Sequence, residues 1–251
     1  MKKIGIALSG GGARGLGHIG VLKALEEKGI KPSIISGTSA GAMFGAFYAA
    51  GYSLDKIIKI SKKTNFFSLK NILFGKSGFL NMNAFEELIE EHIPGNSFES
   101  LKLPLYVATT DIIKGETVYF SSGVLSKAVM ASSCIPMVYE PIKYNETYYL
   151  DGGLMNNLPV EIIKDKCDFL IGSYVNSMSL KLKDLHMKDM IDRGFHLALS
   201  ASIKDKAKLC NLFIEPADMS RYSMFDMDKA DEIIDFCYNY ASDQLRSIEI
   251  S

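Results

Sequence analysis

Charge of one sign is what this 251-residue sequence most plainly lacks. Its 28 Lys and Arg stand against 29 Asp and Glu, leaving a formal net charge of -1. No basic field is present to gather nucleic acid, and no acidic tail offers itself to a basic partner. Cysteine is scarce too. Cys134, Cys167, Cys210 and Cys237 are widely separated and form no C-x-x-C pair, so neither a zinc site nor a redox motif is visible. Such usage fits free thiols in a reducing compartment. Long apolar runs are also missing. The longest, Ala40 to Tyr52, is about thirteen residues rich in Gly and Ala, short of the roughly 18 that a spanning helix needs. It reads as a buried core helix. The first expected strand, Ile4 to Leu8, begins almost at Met1 and leaves no room for a signal peptide. A cytoplasmic location, with scope for peripheral membrane contact, is therefore expected.

What is present is the balance of a globular protein, with 47% apolar and 23% charged residues. The length suits one α/β domain with a sizeable core. Ile4 to Leu8 reads as a strand, followed by a glycine run and a helix from about Leu16 to Lys28 that stops at Gly29. Pro32, Ile34 and Ile35 supply a second strand, which runs into Gly37 to Gly41 and a helix over 42–50. Further strands are expected at Leu105 to Thr109, Val118 to Ser121, Phe169 to Tyr174 and Leu212 to Glu215, with helices between them and a last helix over about 226–246. The alternation predicts a mostly parallel sheet covered by helices, with its binding crevice at the carboxyl ends of the strands. No internal repeat or low-complexity linker interrupts it.

Both glycine-rich segments fall at such strand ends. Gly37-Thr38-Ser39-Ala40-Gly41 has the G-x-S-x-G form of a nucleophile elbow, in which a serine sits on a strained turn between strand and helix. A side chain at either flanking glycine would collide with the neighbouring strand or helix. Taken alone the pattern describes a tight glycine turn equally well. Ser9-Gly10-Gly11-Gly12-Ala13-Arg14-Gly15 follows the first strand and opens a helix, so backbone N–H groups can converge on one anionic point and form an oxyanion hole. Gly10, Gly12 and Gly15 also satisfy the dinucleotide fingerprint G-x-G-x-x-G. That reading wants an acidic residue at the end of the second strand, and no Asp or Glu occurs between Glu27 and Asp55.

A serine nucleophile needs a base. The four histidines, His18, His92, His186 and His196, all lie outside the glycine-marked loops and read as surface or packing residues. Asp151 differs, since it follows Tyr148-Tyr149-Leu150 and precedes Gly152-Gly153 at a turn. A turn-forming aspartate is the plain account of it, and the two other motifs favour a base.

These residues resemble the patatin-like phospholipase family, in its bacterial form related to neuropathy target esterase. The resemblance rests on Gly10 to Gly15, on Gly37 to Gly41, and on Asp151-Gly152-Gly153 followed by Asn156-Asn157-Leu158-Pro159. Ser132-Ser133-Cys134-Ile135-Pro136 and the segment from Phe225 to Ile234 are weaker echoes. The resemblance implies an α/β three-layer sandwich, with a catalytic core over 4–164 and C-terminal strands and helices over 165–251 packed on the same domain. It implies a Ser39–Asp151 dyad, with Gly10, Gly11, Gly12, Ala13, Arg14 and Gly15 as oxyanion hole, Gly37, Thr38, Ala40 and Gly41 as the elbow, and Gly152 and Gly153 as the loop of the catalytic aspartate. The substrate would be a lipid or small acyl ester. No calcium-loop signature is present, and neither metal nor cofactor is expected.

Three matters stay open on these residues. Arg14 can orient the glycine loop or meet a phosphate headgroup, and the structural role is favoured. The stretch from Lys56 to Lys76 mixes Lys59, Lys62, Lys63 and Lys70 with Phe66, Phe67, Ile72, Leu73 and Phe74. It can rest on anionic lipid, or form an ordinary helix and loop facing the core. Finally, an acyl-serine serves transfer to another acceptor as well as hydrolysis, and a non-catalytic lipid-binding protein of the same fold is a third account.

Overall fold

A computed structural model of the chain describes residues 2–64, 82–136, 138–177, 197, 200, 202–224 and 226–248. Its centre is an eight-stranded sheet made of β1 (Ile4–Leu8), β2 (Ile34–Thr38), β3 (Leu105–Asp111), β4 (Glu116–Phe120), β5 (Ile142–Tyr144), β6 (Thr147–Asp151), β7 (Phe169–Ser173) and β8 (Leu212–Ile214). The strands β3, β2, β1, β7 and β8 lie side by side in parallel. Antiparallel β4, β5 and β6 complete one side. The described helices are α1 (Gly17–Glu27), α2 (Ala40–Ala49), α3 (Leu54–Thr64), α4 (Asn83–His92), α5 (Leu125–Ser132), α6 (Gly153–Asn156), α7 (Glu161–Lys164), α8 (Ile203–Leu209) and α9 (Ala230–Leu245).

The central strands are buried on both faces, which is why they read as continuous apolar runs. Successive side chains of a strand point to opposite faces. Thus Ile6 and Leu8 of β1 join a core with α1, α2 and α9, whereas Ala7 joins a smaller core with Leu158, Val160, Ile163 and Ile203 beside α7 and α8. Two helical layers therefore enclose the sheet, in the three-layer α/β arrangement expected. The apolar helix α2 is buried along its whole length. It starts two residues before the expected 42, because the turn at Ser39 leads directly into it. The last helix docks on the first, with Lys23 Nζ 4.9 Å from the Tyr238 ring and the Tyr238 hydroxyl donating to Glu27 at 2.6 Å.

One junction in the sheet positions the site. Strand β3 carries β4 along one edge for its whole paired length, from Val107 opposite Phe120 to Asp111 opposite Glu116. Its other edge is shared. β2 occupies the first part, up to Thr38 opposite Ala108, and β6 then enters from the far end, with Asp151 opposite Thr109. The last residue of β2 and the last residue of β6 thus face adjacent positions of one strand. β5 and β6 were not expected as strands, and both are short.

No helix among the described residues is long and apolar enough to cross a membrane. In α3 the apolar Leu54, Ile57 and Ile60 are buried, so this part of the lysine-rich stretch is an ordinary core-facing helix. Its lysines stay outside, and Lys62 pairs with Asp231 at 2.6 Å. Lys70, Phe66, Phe67, Ile72, Leu73 and Phe74 lie outside the described residues.

Candidate active site

Ser39 sits between β2 and α2 at φ 51 and ψ -120, a strained conformation for a residue with a side chain, costing on the order of 1 to 3 kcal/mol. The surroundings hold it there. Its N–H donates to Ser132 Oγ at 2.8 Å, and its carbonyl accepts the Met43 N–H in the first turn of α2 at 3.0 Å. Packing around the elbow admits only glycine at the flanks. A Cβ on Gly41 would lie 2.2 Å from the Leu8 carbonyl oxygen, and one on Gly37 would lie 2.6 Å from the Gly41 backbone. Thr38 ties the elbow to the aspartate loop, its Oγ1 donating to the Asn156 carbonyl at 2.8 Å.

Asp151 ends β6. Its N–H donates to the Cys134 carbonyl at 2.9 Å, its carbonyl accepts from Thr110 Oγ1 at 2.9 Å, and carboxylate Oδ1 accepts the Gly153 N–H at 2.7 Å. Burial pushes this carboxyl up to about 6 from 3.8, against the opposing influence of the Gly153 N–H and of the Ser39 side chain. Ser39 and Asp151 open onto one cleft together with Gly10, Gly11 and Gly12. Asn157 and Asn176 add polar side chains to its wall, and Ile135 and Met224 add apolar ones. Among the described residues lining it, Asp151 is the single titratable side chain.

The glycine loop divides into two parts. The N–H groups of Gly10, Ala13 and Arg14 are engaged, donating to the carbonyls of Asn157 at 3.2 Å, Met224 at 2.8 Å and Gly11 at 3.1 Å. The amides of Gly11 and Gly12 find no acceptor among the described residues. Asn176 Nδ2 donates to the Gly10 carbonyl at 2.5 Å. In a trans peptide the C=O and the following N–H point in opposite directions, so that bond fixes where the Gly11 N–H points. Ala13, Arg14 and Gly15 are buried behind the loop and do not line the cleft. The Arg14 Nε donates to the Tyr222 carbonyl at 2.8 Å.

The described histidines are elsewhere. His18 is fully buried, with Nδ1 2.8 Å from Ser173 Oγ and Nε2 2.8 Å from the Ser9 carbonyl. The carbonyl can only accept, so Nε2 carries the proton and Nδ1 accepts from the Ser173 hydroxyl. Burial pulls this imidazole down to about 4 from 6.5, and it is neutral at pH 7. His92 ends α4 and packs edge-on to Phe47. His186 and His196 lie outside the described residues. All four cysteines are free, and no group of His, Cys, Asp and Glu among the described residues is arranged to hold a metal.

Two lining residues, Asn176 and Met224, were not singled out from the sequence. Asn176 had a usable signal, a polar residue just beyond the carboxyl end of the parallel strand β7. Met224 had none. Chemically, the arrangement offers a hydroxyl on a strained turn, one carboxylate of raised pKa and, among the described residues, a pair of amides without an acceptor, all at a shared cleft.

A family model described as Patatin-like phospholipase matches residues 6–164. Lysophospholipase NTE1 of Kluyveromyces lactis is 28% identical over an alignment covering 99% of this chain and 19% of that protein. An uncharacterised NTE family protein of Mycobacterium tuberculosis is 32% identical, covering 63% of this chain and 44% of its own length. The chain thus spans less than half the length of these relatives. Among solved structures, VipD from Legionella pneumophila covers 93% of this chain and 67% of that chain, at 16% identity and a TM-score of 0.49.

Proposed function

This chain belongs to the patatin-like phospholipase family, and from that premise we propose that it hydrolyses acyl esters of lipids through a Ser39–Asp151 dyad. The observation that carries the reading is the pairing of a strained serine with a buried carboxylate in one cleft. A carboxyl poised at about 6 is ionised at neutral pH, yet basic enough to take a proton as the serine attacks.

In this mechanism Ser39 Oγ bonds to the ester carbonyl carbon while its proton passes to Asp151. The carbonyl π pair moves onto oxygen, where the free amides of Gly11 and Gly12 receive it. Collapse expels the alcohol, which takes the proton from Asp151 and leaves an acyl-serine. Water then repeats the sequence, giving up a proton to Asp151 and releasing the fatty acid as Ser39 recovers its own. Helix α2 adds the positive end of its dipole beside the developing charge. Histidine has no part in these steps. His18, the one closest in sequence to the glycine loop, is held in the core by two hydrogen bonds that leave no ring nitrogen for the serine.

The test is a panel of soluble esters, lysophospholipids, phospholipids and triglycerides, with Ser39→Ala as the blank and a fluorophosphonate to label the nucleophile. Hydrolysis and labelling should occur in the wild type and vanish with Ser39→Ala, and Asp151→Asn should lose turnover. A wild-type protein inert to every ester and to the probe sinks the reading and favours a non-catalytic binding protein.

A further inference from the structure

The loops that meet at the cleft share one neighbour, the segment 156–159. Thr38, beside the nucleophile, donates from Oγ1 to the Asn156 carbonyl at 2.8 Å. The Gly10 N–H donates to the Asn157 carbonyl at 3.2 Å, and Ser36 Oγ of β2 donates to the Pro159 carbonyl at 2.7 Å. The segment itself continues the aspartate loop, with the Asn156 N–H donating to the Gly152 carbonyl at 2.8 Å. The elbow, the glycine loop and the aspartate loop are thus set against one short stretch of main chain. Whatever holds that stretch governs how the three meet.

Lys206 holds it from the far side. This buried lysine lies on α8, 50 positions from Asn156 in the chain. Its ammonium has three hydrogens and, among the described residues, three acceptors: Asn156 Oδ1, the Leu158 carbonyl at 3.1 Å and Glu161 Oε1 at 2.8 Å. An ammonium can only donate, so it keeps the oxygen of the Asn156 carboxamide toward itself. That leaves Asn156 Nδ2 to donate to the Tyr119 hydroxyl at 2.7 Å and to Glu161 Oε2 at 3.2 Å. Burial disfavours the charge and pulls the Lys206 pKa down, with Glu161 opposing. An apolar side chain of similar volume would avoid that cost. It could not satisfy three acceptors at one point, two of them in the segment 156–158. The influences on the Asp151 carboxyl are burial, the Gly153 N–H and the Ser39 side chain, so Lys206 reaches the dyad through the segment rather than through its field.

We infer that Lys206 is a positioning residue for the reaction, clamping the segment 156–158 so that the Ser39 elbow, the Gly10 loop and the Asp151 loop keep one register. The inference rests on the hydrolytic reading above. It adds no step to the chemistry, since the ammonium stays bound to its three acceptors throughout.

The experiment compares the wild type with Lys206→Met, which has a similar length and no donor, and with Lys206→Gln. It measures kcat and KM on a soluble p-nitrophenyl acyl ester, and the rate and final extent of labelling by a fluorophosphonate. Dividing kcat by the labelled sites removes any unfolded fraction, so a merely structural role would leave this quantity unmoved. In Lys206→Met it should fall by about tenfold or more, because small misplacements of reacting groups are costly. KM should move less than about threefold, and the labelling rate should fall in step with kcat. Lys206→Gln keeps a donor and loses the charge, and it carries the test, with a fall in the same direction, if the methionine variant does not fold. A folded variant whose kcat per labelled site matches wild type overturns the inference. A raised KM at unchanged kcat overturns it as well, as does a lowered kcat with labelling at the wild-type rate, which would leave Ser39 correctly placed. Failure of both variants to fold, read by thermal unfolding, assigns Lys206 to structure and overturns it too. An inert wild type defeats the hydrolytic reading itself, whereas an active wild type with a dead Ser39→Ala and a fully active Lys206→Met defeats only the role of Lys206.

Discussion

The hydroxyl of Ser132 accepts the Ser39 N–H at 2.8 Å and itself donates to the Ala108 carbonyl at 2.7 Å. Thr38 is the last residue of β2 paired to β3, opposite Ala108. The turn at Ser39 takes the next N–H out of the ladder, and the Ser132 side chain closes that gap. The carbonyl of Ser132 meanwhile accepts the Gly152 N–H at 3.3 Å, so one residue holds the elbow and the aspartate loop together. Replacing it with alanine leaves a buried N–H and a buried C=O short of a partner, at a cost of about 1 to 3 kcal/mol. Ser132→Ala should unfold at lower denaturant concentration and lose about tenfold or more in kcat, with KM little changed. Chemical denaturation and steady-state kinetics on the same preparation check both, and a variant matching wild type in each would show that Ser132 does not position the nucleophile.

The Asp151 carboxyl should set the acid limb of activity. It must be ionised to act as a base, so kcat/KM should fall as pH drops through about 6. A profile flat down to pH 4.5 would assign the base elsewhere.

The same carboxyl makes a stability prediction of opposite sign to the usual one for an aspartate. Its folded pKa of about 6 lies above the reference 3.8, so its favourable contribution is complete below pH 3.8 and is lost as pH rises through about 6. The loss amounts to about 3 kcal/mol. Asp151→Asn, neutral at every pH, should therefore be more stable than wild type at pH 8 by up to that amount, with the advantage shrinking toward pH 4. Urea midpoints at both pH values measure it, and equal midpoints at pH 8 would contradict a strained carboxylate.

His18 should matter to folding and little to chemistry. Its folded pKa of about 4 lies below the reference 6.5, so its contribution is complete above pH 6.5 and is lost as pH falls through about 4. Removing the ring strands the Ser9 carbonyl and the Ser173 hydroxyl and opens a cavity, so His18→Ala should cost about 2 to 4 kcal/mol. The protein that does fold should retain turnover within about tenfold of wild type, since the ring takes no proton from Ser39. Loss of chemistry with unchanged stability would reverse the assignment.

Two glycines should respond very differently to alanine. At Gly41 the new methyl would lie 2.2 Å from the Leu8 carbonyl oxygen, which is backbone and cannot yield. The variant should lose upwards of about 3 kcal/mol and much of its soluble yield. At Gly29, just past α1, φ is +74 and no atom lies within 4 Å of the added methyl. There only the left-handed backbone is penalised, at about 1 kcal/mol. Comparative thermal unfolding of the two variants distinguishes close approach from conformational strain.

Much of the fold was legible in the residues. The apolar runs of β1, β2, β3 and β7 are buried on both faces, so their composition alone marks them. The short β5 and β6 were missed, because Thr147-Tyr148-Tyr149-Leu150-Asp151 is only partly buried and gives neither a continuous run nor a clean alternation. The elbow and the glycine loop were legible for a different reason, since local backbone geometry and close packing admit glycine and little else there. The place of Met224 in the cleft wall was not, because it depends on how segments far apart in the chain meet.

The division follows from the range of the forces involved. Local sterics and hydrophobic periodicity act over a few residues, and so the sequence by itself determined the strand-loop-helix units, the strained serine and the class of fold. Which loops face one another depends on pairings between distant segments, and only tertiary structure decided that. β2 leaves the edge of β3 at Thr38 and β6 takes it over at Asp151. That exchange brings a serine and a carboxylate 112 positions apart into one cleft, and the burial it entails raises the carboxyl to a pKa useful near neutrality.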